Sequence, residues 1–301
     1  MKPDIFRIVA HTDFDGLISA LFLRVLYGVE EVVFAEPWEL QENTFTVHKT
    51  DAVVDLPYPA GGCVLWVDHH DSNALQEQKP HCYFDATKKS CPSLIFEVLP
   101  HERLEQFRSL LQDADKIDGA EYTREDIQSP TPAMQISMSI NTNKKREDDL
   151  YRLFLLEQLE QHPLATVASM SIVQQRFKAK WDEHNRFLEC IDEYARLHGI
   201  VLVVDLSMSA EYPKPSSFSH FGLYLRYPQA AITLLITKHD TPGRLRLAVG
   251  ENIFYRINNV HIGTLMKSYG GGGHKGAGGC SIPEVNKEEL LEKILVALNS
   301  Q

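Results

Sequence analysis

Several short stretches of the 301-residue chain hold side chains able to do chemistry. His11, Asp13 and Asp15 alternate in His11-Thr12-Asp13-Phe14-Asp15-Gly16. Alternate residues of an extended segment point to one side, so this spacing predicts one imidazole and two carboxylates converging. Oxygen and imidazole donors without a thiolate suit a hard divalent cation, Mn²⁺ first, with Mg²⁺, Fe²⁺, Co²⁺ or Zn²⁺ as alternatives. Asp15 has a second reading as the N-cap of a helix starting at Gly16-Leu17, but a cap leaves His11 and Asp13 unexplained. Asp55 closes the apolar run Ala52-Val53-Val54 and, taken alone, is as good a turn residue as a ligand. Asp68-His69-His70 closes Val64-Leu65-Trp66-Val67, and two imidazoles with a carboxylate suit neither a core nor a simple turn. Strict alternation would send His69 away from Asp68 and His70, so a turn must begin there if all three serve one site. Asp113-Ala114-Asp115-Lys116-Ile117-Asp118 ends a helical stretch. Carboxylates there oppose the helix dipole, which predicts a compensating cation or a solvated end that Lys116 partly neutralises.

The last such stretch is Gly270-Gly271-Gly272-Gly273-His274-Lys275-Gly276-Ala277-Gly278-Gly279. Successive glycines let backbone N–H groups turn inward around an anion, and His274 and Lys275 add donors and charge. A flexible linker is the competing reading, but serine is absent and His-Lys sits in the middle. The spacing fits neither a P-loop nor a Rossmann fingerprint. Arg244 and Arg246, alternating on a predicted strand, either face the same anion or form an ordinary solvent-facing pair. Ser171, Ser207, Ser209 and Ser217 lack a nucleophile-elbow setting, which leaves serine-hydrolase chemistry without support. Asp85 reads as a turn residue.

These residues need elements to position them. Ile5 to Ala10, Ala52 to Val54 and Val64 to Val67 are short, nearly continuous apolar runs, the pattern of strands buried on both faces. Between the first two, Leu17 to Tyr27 is apolar at helical spacing, with Gly28 at the position of a helix-ending glycine. Strand, helix, strand implies a mostly parallel sheet, and such sheets bind ligands at the carboxyl ends of their strands. All three polar clusters fall at that edge. From about residue 90 to 197 the pattern is helical, broken at Pro100 and Pro163, with its later part running from about Lys144 to His198 and ended by Gly199. Strands return at Ile200 to Val204, Ala230 to Thr237 and Leu245 to Val249, the last two joined by a turn around Thr241-Pro242-Gly243, and Lys287 to Leu298 reads as a final helix. The predicted division is a first domain over 1–180, a helical linker over 181–198 and a second domain over 199–301.

With 44% hydrophobic and 24% charged residues, the chain can bury a sizeable core. No apolar run is long enough to cross a membrane, and no signal peptide is predicted from the N-terminal residues. Thirty basic against 41 acidic residues leave a net charge of -11, which argues against coating duplex DNA with lysines. It is compatible with a local positive pocket and with carboxylates gathered around metal ions. The five cysteines form no CxxC pair and leave one over, which predicts a reducing, cytoplasmic setting.

His11-Thr12-Asp13-Phe14-Asp15-Gly16, Asp55, Asp68-His69-His70 and the glycine run, in that order, resemble the DHH phosphoesterase superfamily, in its two-domain form with the DHH-associated C-terminal domain. The resemblance spans essentially the whole chain. It implies an α/β fold with an N-terminal parallel-sheet domain, a helical linker, a smaller α/β C-terminal domain and an active site in the interdomain cleft. It implies two Mn²⁺ ions, with Mg²⁺, Co²⁺ or Fe²⁺ as substitutes. His11, Asp13 and Asp55 would hold one ion, and Asp15, Asp55 and His69 the other. Asp55 would bridge, and Asp118 (preferred to Asp115) would complete the second set. Asp68 would ligate or support a ligand, and His70 would face the scissile phosphate or leaving group, making these the implied catalytic pair. Gly271, Gly272, Gly273, His274 and Lys275 of the glycine run would bind substrate, and Arg244, from its place on the predicted strand, is the residue expected to join them.

The implied activity is two-metal hydrolysis of short nucleotides: oligoribonucleotides, linear or cyclic dinucleotides, or 3′-phosphoadenosine 5′-phosphate. A polyphosphate or pyrophosphate hydrolase and a non-catalytic nucleotide sensor are the alternatives. A homodimer without stable duplex nucleic acid is the partner state it suggests. The sequence departs from many short-RNA members in the shorter His-x-Asp-x-Asp spacing and in Gly250-Glu251-Asn252-Ile253-Phe254-Tyr255-Arg256, where a serine-bearing segment is common.

Overall fold

The computed structural model describes residues 3–75, 79–140, 145–209, 218–255 and 259–300. Lys144, Ser217 and Arg256, which figured in the sequence reading, lie outside the described residues. The chain divides into one unit of residues 1–122 and 130–178 and another of residues 123–129 and 179–301.

The first unit begins β1 (Arg7–His11), α1 (Phe14–Tyr27), β2 (Val32–Ala35), α2 (Pro37–Gln41), β3 (Asp51–Val54), β4 (Leu65–Asp68) and β5 (Cys82–Phe84). Its strands pair in parallel in the order β2-β1-β3-β4-β5. Successive side chains alternate between faces, and both faces are covered. Ile8, Ala10, Ala52, Val54, Leu65 and Val67 join a large core with α1 and the later helices. Val9, Val53 and Trp66 join a smaller cluster on the other side. There the Trp66 indole N–H donates to the Leu56 carbonyl over 2.8 Å. Helices α3 (Cys91–Val98) and α4 (Arg108–Asp118) follow. Next comes α5 (Arg124–Gln128), which belongs to the other unit, and then α6 (Pro132–Ser139), α7 (Lys145–Gln161), α8 (Leu164–Ala168) and α9 (Ser171–Cys190).

The second unit adds β6 (Ala195–His198), β7 (Val201–Asp205), α10 (Ser219–Arg226), β8 (Ile232–Lys238), β9 (Arg244–Glu251), α11 (Ile262–Lys267), β10 (Gly272–Gly273), β11 (Ala277–Pro283) and α12 (Lys287–Asn299). Its six-stranded sheet runs β10-β11-β9-β8-β7-β6, antiparallel except for β7 with β8. Val201, Val203 and Ile232 pack under α11 and α12. Leu202, Val204 and Leu235 pack against Phe187, Ile191 and Leu223 on the opposite face. Among the described residues no helix is long and apolar enough to cross a membrane.

The expected strands and the α1 reading hold, with Gly28 in the left-handed region at φ 70° as the helix-ending residue. Several details differ. β2, of four residues, and β5, of three, were not expected. The helical reading to His198 stops at Cys190; Ile191–Glu193 is a 3₁₀ turn and Ala195–His198 pairs with β7. Within the stretch expected to be helical from about residue 90, Glu102–Phe107 is a 3₁₀ turn.

Candidate metal centre

The carboxyl ends of β1, β3 and β4 bring His11, Asp55 and Asp68 to one edge of the parallel sheet, and the end of β2 brings Glu36. The His11-Asp13-Asp15 segment is not extended throughout, contrary to the alternation argument. β1 ends at His11, Asp13 is the N-cap of α1, and Asp15 lies in its first turn. Asp13, not Asp15, caps the helix, its Oδ1 accepting the Gly16 N–H over 3.0 Å. The other Asp13 oxygen, Oδ2, is 3.0 Å from His11 Nδ1. One side chain therefore ends the turn and lines the cluster. A Cβ on Gly16 would stand 2.3 Å from the His11 carbonyl oxygen, so the tight passage from β1 into α1 requires glycine there.

Asp55 follows β3 with φ 58°, a left-handed conformation that Asp adopts more readily than most residues. Its N–H donates to the Val67 carbonyl over 2.9 Å. Asp55 Oδ2 lies 3.4 Å from His11 Nδ1. Oδ1 lies 3.7 Å from His69 Nε2 and 3.5 Å from His70 Nδ1. His69 Nε2 is also 3.3 Å from Asp15 Oδ2 and 3.4 Å from Asp118 Oδ2. Three overlapping ligand groups result: His11, Asp13 and Asp55; Asp55, His69 and His70; and Asp15, His69 and Asp118. His70, expected only to face substrate, is thus also within ligand distance of Asp55.

The two histidines of the Asp68-His69-His70 stretch are oriented separately. His69 Nδ1 is 3.1 Å from the Lys88 carbonyl. A carbonyl only accepts, so Nδ1 carries a proton, and Nε2 is the nitrogen that faces Asp15, Asp55 and Asp118. His70 Nδ1 is 2.8 Å from Asp68 Oδ1. Asp68 also accepts the N–H groups of His69 and His70, at 2.8 and 3.3 Å, and the Asn73 amide at 2.6 Å. Asp68, expected as a ligand and catalytic residue, stands in none of the three ligand groups, and its oxygens accept from His69, His70 and Asn73. Asp115 is likewise elsewhere: its Oδ1 accepts the Ser90 and Ser93 hydroxyls, each over 2.6 Å. Asp118 is the member of that acidic run that reaches the cluster.

The electrostatics of the cluster are those of crowded, buried carboxylates. Burial, then the charges of Asp15 and Asp13, push the Asp55 carboxyl well above the ordinary carboxylate range. Burial and Asp15 do the same to Asp118, and burial raises Asp15. Burial opposes protonation of His69, but Asp15, Asp55 and Asp118 outweigh it and lift the imidazole to about 10. Asp15 Oδ1, both Asp55 oxygens, His11 Nδ1 and His69 Nε2 are buried without a hydrogen-bond partner. Unpartnered buried polar atoms are costly. A divalent cation would satisfy all of these atoms at once and reverse the local repulsion, so the donor set fits metal ions.

The glycine run, expected to cradle an anion, has regular structure of its own. It is a tight hairpin, β10 with β11, on which α11 packs. Gly270 N–H donates to the Lys267 carbonyl, Gly271 N–H to the Met266 carbonyl and His274 N–H to the Ala277 carbonyl. A Cβ on Gly263 would meet the Gly273 carbonyl oxygen at 2.2 Å, and Gly273 has φ 144°. The glycines serve close approach of helix and hairpin. His274 and Lys275 remain exposed on its outer turn, as do Gly271 and Gly273, with Gly272 half-buried. Arg244 is not brought to them. It pairs with Pro283 at the far end of β11 from Ala277, about 20 Å along the strand. There its guanidinium donates to the Ser281 hydroxyl at 2.8 Å and carbonyl at 2.5 Å.

Two residues that sequence reading missed complete the surroundings. Glu36 Oε2 lies 3.5 Å from His11 Nε2, and its Oε1 accepts the Thr12 hydroxyl over 2.5 Å. The signal was present: Val32-Val33-Phe34-Ala35 is an apolar run ending on an acidic residue, like those ending on Asp55 and Asp68. Fully buried Arg152 on α7 donates its Nε–H to the Thr12 carbonyl over 2.6 Å. Nothing in the spacing announced that contact.

A parallel sheet with an acidic and imidazole cluster at its carboxyl edge, followed by a separate mixed sheet with a glycine hairpin, defines the class of protein. Residues 224–300 match the DHHA1 domain family. Among solved structures, the chain is similar over 98% of its length and 99% of the other's to a pGpG-specific phosphodiesterase, PggH, from Vibrio cholerae, with 22% identity and a TM-score of 0.79. It is also similar to the DHH domain of a member of a family of ribosomal proteins, at 13% identity and TM-score 0.58, over 98% of this chain and 87% of the other. RecJ of Thermus thermophilus, in complex with Mn²⁺, matches at 13% identity and TM-score 0.57, over 97% of this chain and 51% of RecJ. No curated protein matches the chain. The chain has the fold of these structures, a DHH domain among them, and residues 224–300 are those that match the DHHA1 domain family.

Proposed function

We propose that the chain is a metal-dependent phosphoesterase that hydrolyses short nucleotides, with a linear dinucleotide as the favoured substrate. The observation that carries the reading is Asp55, whose two buried, unpartnered oxygens face different sets of histidine and aspartate donors. Likeness of fold along the whole chain to a dinucleotide phosphodiesterase supports the substrate class.

His11, Asp13 and Asp55 would hold one divalent ion, and Asp15, His69 and Asp118 a second, with Asp55 shared; Mn²⁺ is the favoured metal. Bound there, such ions would supply Lewis acidity and a water acidified to near neutrality. The chain's own contribution is orientation. The Lys88 carbonyl fixes the ring of His69, and Asp68 fixes that of His70. With Nδ1–H held by Asp68, His70 presents Nε2 as the atom that hydrogen-bonds a phosphoryl oxygen or, when protonated, gives its proton to the leaving oxygen. His274 and Lys275 are the hairpin residues with donors for a substrate phosphate.

The test is product release in Mn²⁺ from a 5′-phosphorylated dinucleotide, 3′-phosphoadenosine 5′-phosphate, cyclic di-AMP and polyphosphate, with Asp55→Asn alongside. Dinucleotide turnover that the variant loses is the expected result. Turnover of polyphosphate alone, or none with metal demonstrably bound, would overturn it.

A further inference from the structure

Glu36 belongs to none of the three ligand groups, yet it is held as firmly as a member. Its Oε1 accepts the Thr12 hydroxyl at 2.5 Å, and its backbone N–H donates to Glu39 Oε2 at 2.9 Å. The Thr12 carbonyl is gripped from the other side by buried Arg152 at 2.6 Å. The remaining Glu36 oxygen, Oε2, faces His11 Nε2 at 3.5 Å. The opposite ring nitrogen, Nδ1, faces Asp13 Oδ2 at 3.0 Å and Asp55 Oδ2 at 3.4 Å. His11 is therefore addressed by a carboxylate outside the cluster at one nitrogen and by the cluster at the other. With a cation between Nδ1 and the Asp13 and Asp55 carboxylates, Nδ1 would have to offer its lone pair, and the ring proton would sit on Nε2, where the Glu36 carboxylate accepts it.

We propose that Glu36 is the positioning residue that sets the tautomer and ring orientation of His11, so that Nδ1 is the metal-ligating atom. The inference rests on the metal-centre reading above. Its physical content is that β2, through Glu36, does for His11 what the Lys88 carbonyl does for His69. Thr12 links the two strand ends, since its side chain holds Glu36 while its backbone runs between His11 and Asp13.

The test measures Mn²⁺ affinity by electron paramagnetic resonance or calorimetry. The His11 tautomer is read separately, by imidazole ¹⁵N shifts in protein loaded with diamagnetic Mg²⁺. Loss of the outer partner of a metal-ligating histidine typically weakens affinity about 10–100-fold, and that is the expectation for Glu36→Ala, together with mixed tautomers at His11. Glu36→Gln keeps an acceptor near Nε2 and is expected to retain more affinity than Glu36→Ala. Thr12→Val, which frees the Glu36 carboxylate, is expected to fall between the wild type and Glu36→Ala. Should Glu36→Ala fail to fold, the Gln and Thr12 variants carry the comparison. Wild-type affinity and an unchanged His11 spectrum in the Glu36 variants would overturn the proposal. Asp55→Asn separates the two levels: if it weakens Mn²⁺ binding and the Glu36 variants do not, the role of Glu36 is wrong. If Asp55→Asn also leaves binding intact, the metal centre itself is wrong.

Discussion

Asp55 faces two histidines with different oxygens: Oδ2 lies 3.4 Å from His11 Nδ1, and Oδ1 lies 3.7 Å from His69 Nε2. The backbone makes this possible. At φ 58° the residue turns out of β3, and its carboxylate is buried with neither oxygen hydrogen-bonded. Such an arrangement is unfavourable in the metal-free chain and useful only when positive charge arrives.

The first prediction follows from that asymmetry. Asp55→Asn is the informative variant, because Asn also tolerates positive φ and the shape is kept. It should reduce phosphoesterase turnover on the order of 10³-fold or more, as several kcal/mol of metal-derived stabilisation is lost. In the metal-free protein it should raise the melting temperature, since a carboxylate crowded by Asp15 and Asp13 is removed. Melting curves with and without Mn²⁺ check both halves: the wild type should be stabilised by the ion and the variant not. A variant that melts lower than the wild type without metal would contradict the argument.

The second concerns Asp68. Because it holds His70 and stands outside the ligand groups, Asp68→Asn should leave Mn²⁺ affinity within a few-fold of wild type. Turnover should fall about 10²–10⁴-fold, the range of a mispositioned general acid. Steady-state kinetics beside metal titration separate this from direct ligation, which would lower both together.

How much of this was legible beforehand depends on where each group's partner lies in the chain. His11, Asp55 and Asp68-His69-His70 could be placed together because each ends an apolar run, and a parallel sheet aligns such ends. Asp118 was reachable through the family resemblance. Glu36 escaped because the apolar run Val32-Val33-Phe34-Ala35 was not assigned to any element, so the acidic residue at its end had no sheet edge to be placed on. The Lys88 carbonyl and Arg152 escaped for a deeper reason. One is a backbone atom in a connecting segment and the other comes from a helix 140 positions along the chain, and no local pattern encodes either approach. The hairpin formed by the glycine run was not legible, because the same residues that permit an anion nest also permit a helix to pack closely on a hairpin.

The third prediction is geometric. Gly16→Ala would place a Cβ 2.3 Å from the His11 carbonyl oxygen, against backbone that cannot swing aside. Overpacking of this kind typically costs about 1–3 kcal/mol. Here the displaced segment is the one carrying His11 and Asp13. Chemical denaturation should show the loss, and Mn²⁺ affinity should fall with it. A variant that is destabilised but binds Mn²⁺ as tightly as wild type would show that the β1–α1 turn does not govern the cluster.

The fourth uses a histidine far from the cluster in sequence. His184 is buried against Trp181 and Phe218, and its Nδ1 has no hydrogen-bond partner. Burial lowers its pKa from the ordinary 6.5 to about 4. Between those values the unfolded chain binds a proton that the folded chain refuses, so stability falls as pH drops from about 6.5 to about 4 and is unaffected by this group above it. A shift of that size corresponds to about 3 kcal/mol. His184→Phe should flatten the pH dependence of the unfolding free energy in that window relative to wild type. An unchanged slope would mean the ring is not buried neutral.

The last prediction separates two basic side chains that the sequence put on an equal footing. His274 lies on the exposed turn of the β10–β11 hairpin, whereas Arg244 is about 20 Å away along β11 and occupied by Ser281. If the hairpin turn meets a substrate phosphate, His274→Ala should raise KM about tenfold, the loss of one charge-assisted hydrogen bond of about 1.5–3 kcal/mol in part replaced by water. Its kcat should change little, because the reacting groups are elsewhere. Arg244→Ala should leave KM and kcat unchanged and show only a small loss of stability from the broken Ser281 contacts. The reverse pattern, with Arg244 setting KM and His274 silent, would mean that the anion is read along the β9 strand and not at the glycine hairpin.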